Sequence, residues 1–358
     1  MVEGLRRLVD LPVQTGNFRS RDITREVSAK NCQGARFMWL APLSPKFVVG
    51  HLKRSADLAG AQIIRTPSYG FGKWDSETKG RTLAKDNEKI VMHLHAGAFV
   101  VGTAHPEYIS ANISRQLLKY GSGIINRTLS VEYRLSSSSP FPVSSPFPCA
   151  LIDALSGYVH LIHELGFEPG NIIVAGDSAG GNLALALVRY IRDTPQLGLG
   201  MPGGMLLFSP WCDPLGTRTT LTNSRGESDL AVDYIMPETN PLVSLTLGVY
   251  AVRAFLGNMS REVAAKDPYI GPASLGLDPL VVDGLFTGFP PTYILCGEAE
   301  ALIDEIRTLK QRMLVDMLEG QLVYDEVMDA VHDFVVFPFW EPEGSEAFQR
   351  VLAWVHQL

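Results

Sequence analysis

From about residue 88 onward, short apolar runs alternate with segments whose apolar residues recur at helical spacing. The runs lie at 90–95, 129–134, 171–175, 204–208, 292–296 and 321–327. Their length and β-rich composition read as strands buried in a sheet. The helical segments lie at 106–120, 149–165, 180–191, 302–318 and 343–356. In the last two the apolar residues fall three and four apart, as one buried helix face requires. Leu302, Ile306, Leu309, Met313 and Met317 form one stripe; Phe348, Val351, Leu352 and Val355 form the other. Strand and helix in regular alternation predict an α/β fold with a mostly parallel central sheet flanked by helices. Two stretches break the alternation, 1–70 and 214–265. The first is helix-like in part and precedes the sheet; the second is long, loop-rich and partly apolar, and segments like it commonly form lids or binding lobes. They are expected to make a cap over one end of a core built from 71–213 and 266–358.

Composition narrows the class further. In 358 residues, 46% are hydrophobic and 19% charged, which excludes disordered, collagen-like and disulfide-scaffold chains. The net charge of −7 comes from 31 basic and 38 acidic residues that are interspersed, so no surface suited to tracking phosphates is expected. Nucleic acid is therefore not an expected partner; pairing of two copies of the chain stays open. Cys32, Cys149, Cys212 and Cys296 are far apart with no CxxC pair, which reads as buried free thiols in a reducing compartment rather than as disulfides or a zinc site. No apolar run reaches the ~20 residues of a membrane span. The N-terminal segment has Arg6 and Arg7 with no apolar stretch behind them, unlike a signal peptide. A cytoplasmic location is expected, with secretion of a processed form left open.

The chemistry concentrates at Gly176-Asp177-Ser178-Ala179-Gly180-Gly181, between the 171–175 run and a helical segment. A serine on a tight strand-to-helix turn is presented above the sheet edge, where it can act as a nucleophile. Gly176 and Gly180 suit a turn in which side chains two residues away on either side would collide. Upstream, His95-Ala96-Gly97-Ala98 ends another strand. Main-chain N–H groups from such a loop, with the N–H after the nucleophile, can stabilise a tetrahedral oxyanion. Gly97, Ala98 and Ala179 are the expected donors. Because the donors are main-chain groups, alanine can replace glycine wherever φ stays negative. His95 is expected to brace this loop rather than serve as a base. His93 and His95 form an HxH pair, but no third ligand cluster accompanies it and no metal is expected. A near-duplication, Ser138-Ser139-Pro140-Phe141-Pro142 and Ser144-Ser145-Pro146-Phe147-Pro148, reads as a stiff proline-rich loop ahead of a helix.

These segments resemble the hormone-sensitive-lipase-like branch of α/β-hydrolase carboxylesterases. That branch carries His-Gly-Gly-Gly, Tyr-Arg-Leu and Gly-Asp-Ser-Ala-Gly-Gly in order. Here His95–Ala98, Tyr133-Arg134-Leu135 and the full 176–181 string stand in the same order. Phe208-Ser209-Pro210-Trp211, Asp267-Pro268-Tyr269-Ile270 and Pro290-Pro291-Thr292 are similar to further family segments. The resemblance covers about residues 90–340 and implies an α/β-hydrolase fold with a helical cap. It departs at the oxyanion loop, where two of three glycines are alanine, and at the doubled proline loop. By the same resemblance, Glu300 in Gly297-Glu298-Ala299-Glu300-Ala301-Leu302-Ile303-Asp304-Glu305 occupies the place of the family's acid, with Asp304 as the nearest rival. His332, in the loop after the 321–327 run, occupies the place of the base. The order serine, acid, histidine is that of α/β-hydrolases.

The implied activity is hydrolysis of carboxylic esters with short to medium acyl chains through an acyl-enzyme. Ser178 attacks, His332 takes its proton and Glu300 holds the imidazole, with Asp177 supporting the turn. No metal or organic cofactor is required. An amidase, formamidase or lactonase on the same triad, an interfacial lipase, and a non-catalytic ligand-binding relative remain alternatives.

Overall fold

The computed structural model describes residues 25–75, 82–217 and 245–358, with Ile23, Leu221–Thr222 and Ser228–Asp229 besides. Its centre is an eight-stranded sheet of β1 (Arg36–Leu40), β2 (Thr66–Gly72), β3 (Lys89–Leu94), β4 (Ile125–Val131), β5 (Ile172–Asp177), β6 (Gly204–Phe208), β7 (Thr292–Gly297) and β8 (Leu322–Val327). The strand order is β1-β2-β4-β3-β5-β6-β7-β8. Pairing is antiparallel for β1–β2 and β2–β4 and parallel for all other neighbours, so β2 alone runs against the rest.

Residues along the central strands alternate between two apolar layers, as the period of two demands. Ile172, Val174, Met205, Leu207, Ile294 and Cys296 face one layer. Ile173, Ala175, Leu206, Phe208, Tyr293 and Leu295 face the other. Helices α1 (Gly50–Ala59), α3 (Cys149–Val159), α4 (Ala179–Asp193), α5 (Leu245–Leu256) and α6 (Ile303–Asp316) contribute to the first layer. Helices α2 (Ala111–Tyr120) and α7 (Glu343–Val355) cover the second. The two stripes behave as their spacing predicts: Ile306, Leu309 and Met313 are buried in one layer and Phe348, Val351 and Val355 in the other. Each such side chain contributes about 1.5–3 kcal/mol relative to exposure.

The expectation that residues 1–70 stand apart from the sheet is corrected for the described part. Arg36–Leu40 is an edge strand of the sheet and Thr66–Gly72 lies between it and β4; the two pair from Arg36↔Gly70 to Leu40↔Thr66. Pro67 is tolerated because its carbonyl accepts from Glu132 N–H at the end of the β2–β4 ladder, where a missing donor breaks no rung. The parts of the cap expectation that fall on 1–22, 24, 218–220, 223–227 and 230–244 lie outside the described residues. No helix among the described residues is long and apolar enough to cross a membrane.

Candidate active site

The end of β5 turns directly into α4, and Ser178 occupies the turn with φ 52° and ψ −115°. An L-residue pays for that backbone, so the surroundings must fix it. Ser178 N–H donates to the Phe208 carbonyl at 2.9 Å, and the Ser178 carbonyl accepts from Trp211 and Gly181. A Cβ on Gly176 would lie 2.1 Å from the Gly180 carbonyl oxygen, and one on Gly180 would lie 2.0 Å from that of Leu94. Both contacts are far inside van der Waals range, so glycine is obligatory at each position.

His332 stands in the loop after β8, buried, with Nε2 3.0 Å from Ser178 Oγ. Glu300, in the turn after β7, places Oε2 3.5 Å from His332 Nδ1. That distance is long for a hydrogen bond, as contacts in unliganded sites often are. The rival Asp304 faces Arg307 at 3.9 Å from the first turn of α6, with its side chain half exposed. The structure thus brings Ser178, His332 and Glu300 together and leaves Asp304 outside.

Asp333 is the group that sequence reasoning missed. It follows the histidine directly, is buried, and sets Oδ2 3.4 Å from His332 Nε2, the same nitrogen that faces the serine. Its backbone, at φ 52°, donates to Ser209 Oγ at 3.0 Å. Burial works to lower the affinity of His332 for its proton. The carboxylates of Asp333, Glu300 and Asp177 outweigh it and push the imidazole up to about 9. Burial also pushes the Asp333 carboxyl well up. Adjacency in the chain was the one signal available for Asp333.

Asp177 is fully buried and both its oxygens are engaged. Oδ1 lies 2.9 Å from His93 Nε2, and Oδ2 accepts from Ser110 Oγ at 2.6 Å. Ser110 Oγ also accepts from Ala96 N–H at 3.4 Å, which ties the serine turn to the loop after β3. His95 stacks on Tyr133 with centroids 4.1 Å apart, and its Nδ1 lies 2.7 Å from the Ala96 carbonyl. Burial drives its pKa down to about 4, so it stays neutral as a brace. Among the described residues no group of three or more His, Cys, Asp or Glu is arranged to hold a metal ion.

The loop after β3 departs from the sequence expectation. Ala98 and Phe99 both have positive φ, 51° and 63°, beside Gly97 at 127°. The condition that alanine replaces glycine at negative φ is therefore not met. Left-handed backbone costs an L-residue roughly 1–2 kcal/mol. Gly97 itself is irreplaceable, since a Cβ there would lie 2.0 Å from the Val101 carbonyl oxygen. Register places Leu94 beside Gly176, so this loop leaves the sheet next to the serine turn. The N–H groups of Gly97 and Ala98 have no acceptor among the described residues.

Comparison with known proteins agrees with this geometry. Residues 91–336 match the family described as the alpha/beta hydrolase fold. The chain belongs to that family. An esterase of Acinetobacter venetianus is 25% identical over 275 residues, 75% of this chain and 75% of the relative. An acetyl-hydrolase of Streptomyces hygroscopicus is 28% identical over 268 residues, 74% and 75% of the two chains. Carboxylesterase NlhH of Mycobacterium tuberculosis is 26% identical over 274 residues, 76% and 74%. Among solved structures, a hormone-sensitive lipase from a metagenome library superposes with a TM-score of 0.58 at 22% identity, covering 82% of each chain. An esterase/lipase from an uncultured bacterium gives 0.60 at 20% identity over 99% of this α/β hydrolase and 97% of that chain. The hormone-sensitive-lipase-like resemblance read from the motifs is borne out.

Proposed function

We propose that this α/β hydrolase is a serine carboxylesterase that cleaves carboxylic esters of short to medium acyl chains through an acyl-enzyme on Ser178. The observation that carries the reading is the 3.0 Å contact between Ser178 Oγ and His332 Nε2 on a strained strand-to-helix turn. His332 takes the hydroxyl proton as Oγ bonds to the ester carbonyl carbon. Glu300 holds the ring and balances the imidazolium charge. The N–H groups of Gly97, Ala98 and Ala179 receive the oxyanion, each donor of this kind contributing roughly 3–4 kcal/mol. The tetrahedral intermediate collapses, the C–O bond to the alcohol breaks, and His332 gives its proton to the departing alkoxide. Water, deprotonated by His332 in turn, attacks the acyl carbonyl; Ser178 leaves with the proton and the carboxylic acid is released. No step calls for a metal or an organic cofactor.

Residues 214–265 serve as the cap in this reading; α5 lies at its described end, with Phe255 stacked on Phe99 beside the oxyanion donors. Four buried free cysteines support a reducing compartment such as the cytoplasm. The test is turnover of p-nitrophenyl esters from acetate to long acyl chains by wild type and Ser178→Ala. Turnover of short esters that collapses in the variant is the expected result. Wild-type protein that is folded and turns over no ester, or a variant as active as wild type, would sink the assignment.

A further inference from the structure

The doubled proline loop has no part in the chemistry described so far, yet it is built into the site. Ser136 N–H donates to the Phe99 carbonyl at 2.7 Å, and Ser136 Oγ donates to the Ser145 carbonyl at 2.8 Å. Ser137 and Ser144 pair through both backbone bonds, closing the loop on itself. Its far end is fastened to α5: Phe147 N–H donates to the Phe255 carbonyl at 2.7 Å, and Ser138 N–H to the Tyr250 hydroxyl at 3.3 Å. Arg253 donates to Ser138 Oγ at 3.1 Å. The Phe99 ring closes the circuit, stacking on Phe255 with centroids 4.1 Å apart and planes within 10°. The Phe147 ring meets the same Phe255 edge-on at 5.7 Å. Phe99, Ser136, Phe147 and Phe255 are all buried.

These bonds converge on the residue that follows Ala98, in a stretch where two consecutive non-glycine residues have left-handed backbone. Where the family pattern has glycine and needs no help, this chain has alanine. We propose that the 136–148 loop and Phe255 of α5 form a clamp that holds Ala98 and Phe99 left-handed, so that the main-chain donors keep their aim. Ser136 and Phe255 are then positioning residues, acting through Phe99 and not on the substrate. The inference rests on the oxyanion role given above to Gly97 and Ala98.

The experiment is a double-mutant cycle between Phe255 and Ala98, with kcat and KM measured on p-nitrophenyl acetate. Phe255→Ala is expected to lower kcat about tenfold while KM moves less than threefold, because an aim lost from the donors is felt in the transition state. Phe255→Leu, which keeps bulk but loses the stack, should fall between and carries the test if the alanine variant does not fold. With Ala98→Gly in the background, residue 98 no longer needs holding and only Phe99 remains strained, so the kcat penalty of Phe255→Ala should shrink at least threefold. A kcat within twofold of wild type in Phe255→Ala, or the same penalty in both backgrounds, overturns the clamp. Ser178→Ala is run alongside. If it is inactive and Phe255→Ala is fully active, the clamp alone falls; if it is as active as wild type, the site reading falls and the clamp with it.

Discussion

The serine turn and the loop after β3 meet at the same end of the sheet and both carry left-handed backbone, but they hold it by different means. At the turn, two glycines give way: Gly176 and Gly180 leave no room for a Cβ against the Gly180 and Leu94 carbonyls. Ser178 is locked between them by its hydrogen bonds to β6 and to Trp211. In the loop, Gly97 and Gly102 are sterically forced, but between them Ala98 and Phe99 adopt positive φ despite carrying Cβ atoms. One strained segment is fixed by what its own residues lack, the other by what packs on it. Changes at the turn should therefore be catastrophic, and changes in the loop graded and dependent on their neighbours.

The sharpest way to break that contrast is at the turn itself. Gly180→Ala should abolish turnover or folding, since its Cβ would fall 2.0 Å from the Leu94 carbonyl oxygen; circular dichroism and ester turnover read the outcome. A well-folded variant with wild-type kcat would mean the turn has slack and the two regions are alike. Ser178→Ala leaves the same backbone and removes only the hydroxyl, so it should fold normally and lose at least about 10⁴-fold in kcat.

One step down lies Glu300→Gln. The amide keeps shape but not charge, and can leave the imidazole in the wrong tautomer. Loss of about 10²–10⁴ in kcat with little change in KM is expected. A comparable loss in Asp304→Asn, with Glu300→Gln near wild type, would move the acid to the other carboxylate.

The pH profile probes the site where the sequence was least informative. In the proposed mechanism, His332 must be free of its proton to accept one from Ser178. With its pKa raised to about 9, kcat/KM should rise with pH from neutral through that value. The charges of Asp333, Glu300 and Asp177 raise its pKa, against burial, which lowers it. Asp333→Asn removes one of those charges, so the rising limb should move to lower pH, each unit being a tenfold gain on the acid side. A limb that stays in place, or moves up, would show that Asp333 carries no charge in the working enzyme.

What could be read from the sequence follows the same physical division. The central strands and the later helices were legible because burial on both faces, or on one helix face, leaves a periodic apolar record. Gly204–Phe208 coincides with its expected strand, and Glu343–Val355 differs from its expected helix by one residue. Strand β4 starts four residues earlier than expected, because the polar Asn126 and Arg127 interrupt the apolar run ahead of Leu129. Arg127 is buried there by a 2.9 Å pair with Glu88 and bonds to the Thr82 and Leu83 carbonyls, which no periodicity reveals. Strand β2 was hidden by Pro67, Gly70 and Gly72, residues that ordinarily mark turns. Ser178 was legible because a tight turn demands its glycines; Glu300 and His332 followed only from the family pattern. Asp333 and the Phe99–Phe255 stack were not, since each depends on a tertiary approach and leaves no local pattern.

The smallest effect is the most direct measure of how the two regions differ. Ala98→Gly removes the steric cost of left-handed backbone, roughly 1–2 kcal/mol for an L-residue. It also gives the unfolded chain more freedom, which costs about 0.4–1 kcal/mol. The balance is a gain of about 0.5–1 kcal/mol, read as a higher denaturation midpoint with an unchanged m-value. Gly176→Ala, measured in the same way, should lose far more than it could regain from chain entropy, because its Cβ meets backbone at 2.1 Å. If Ala98→Gly instead destabilises the protein by the full entropic cost, residue 98 carries no strain. The loop would then be relaxed without its clamp, and the contrast with the serine turn would reduce to the glycines alone.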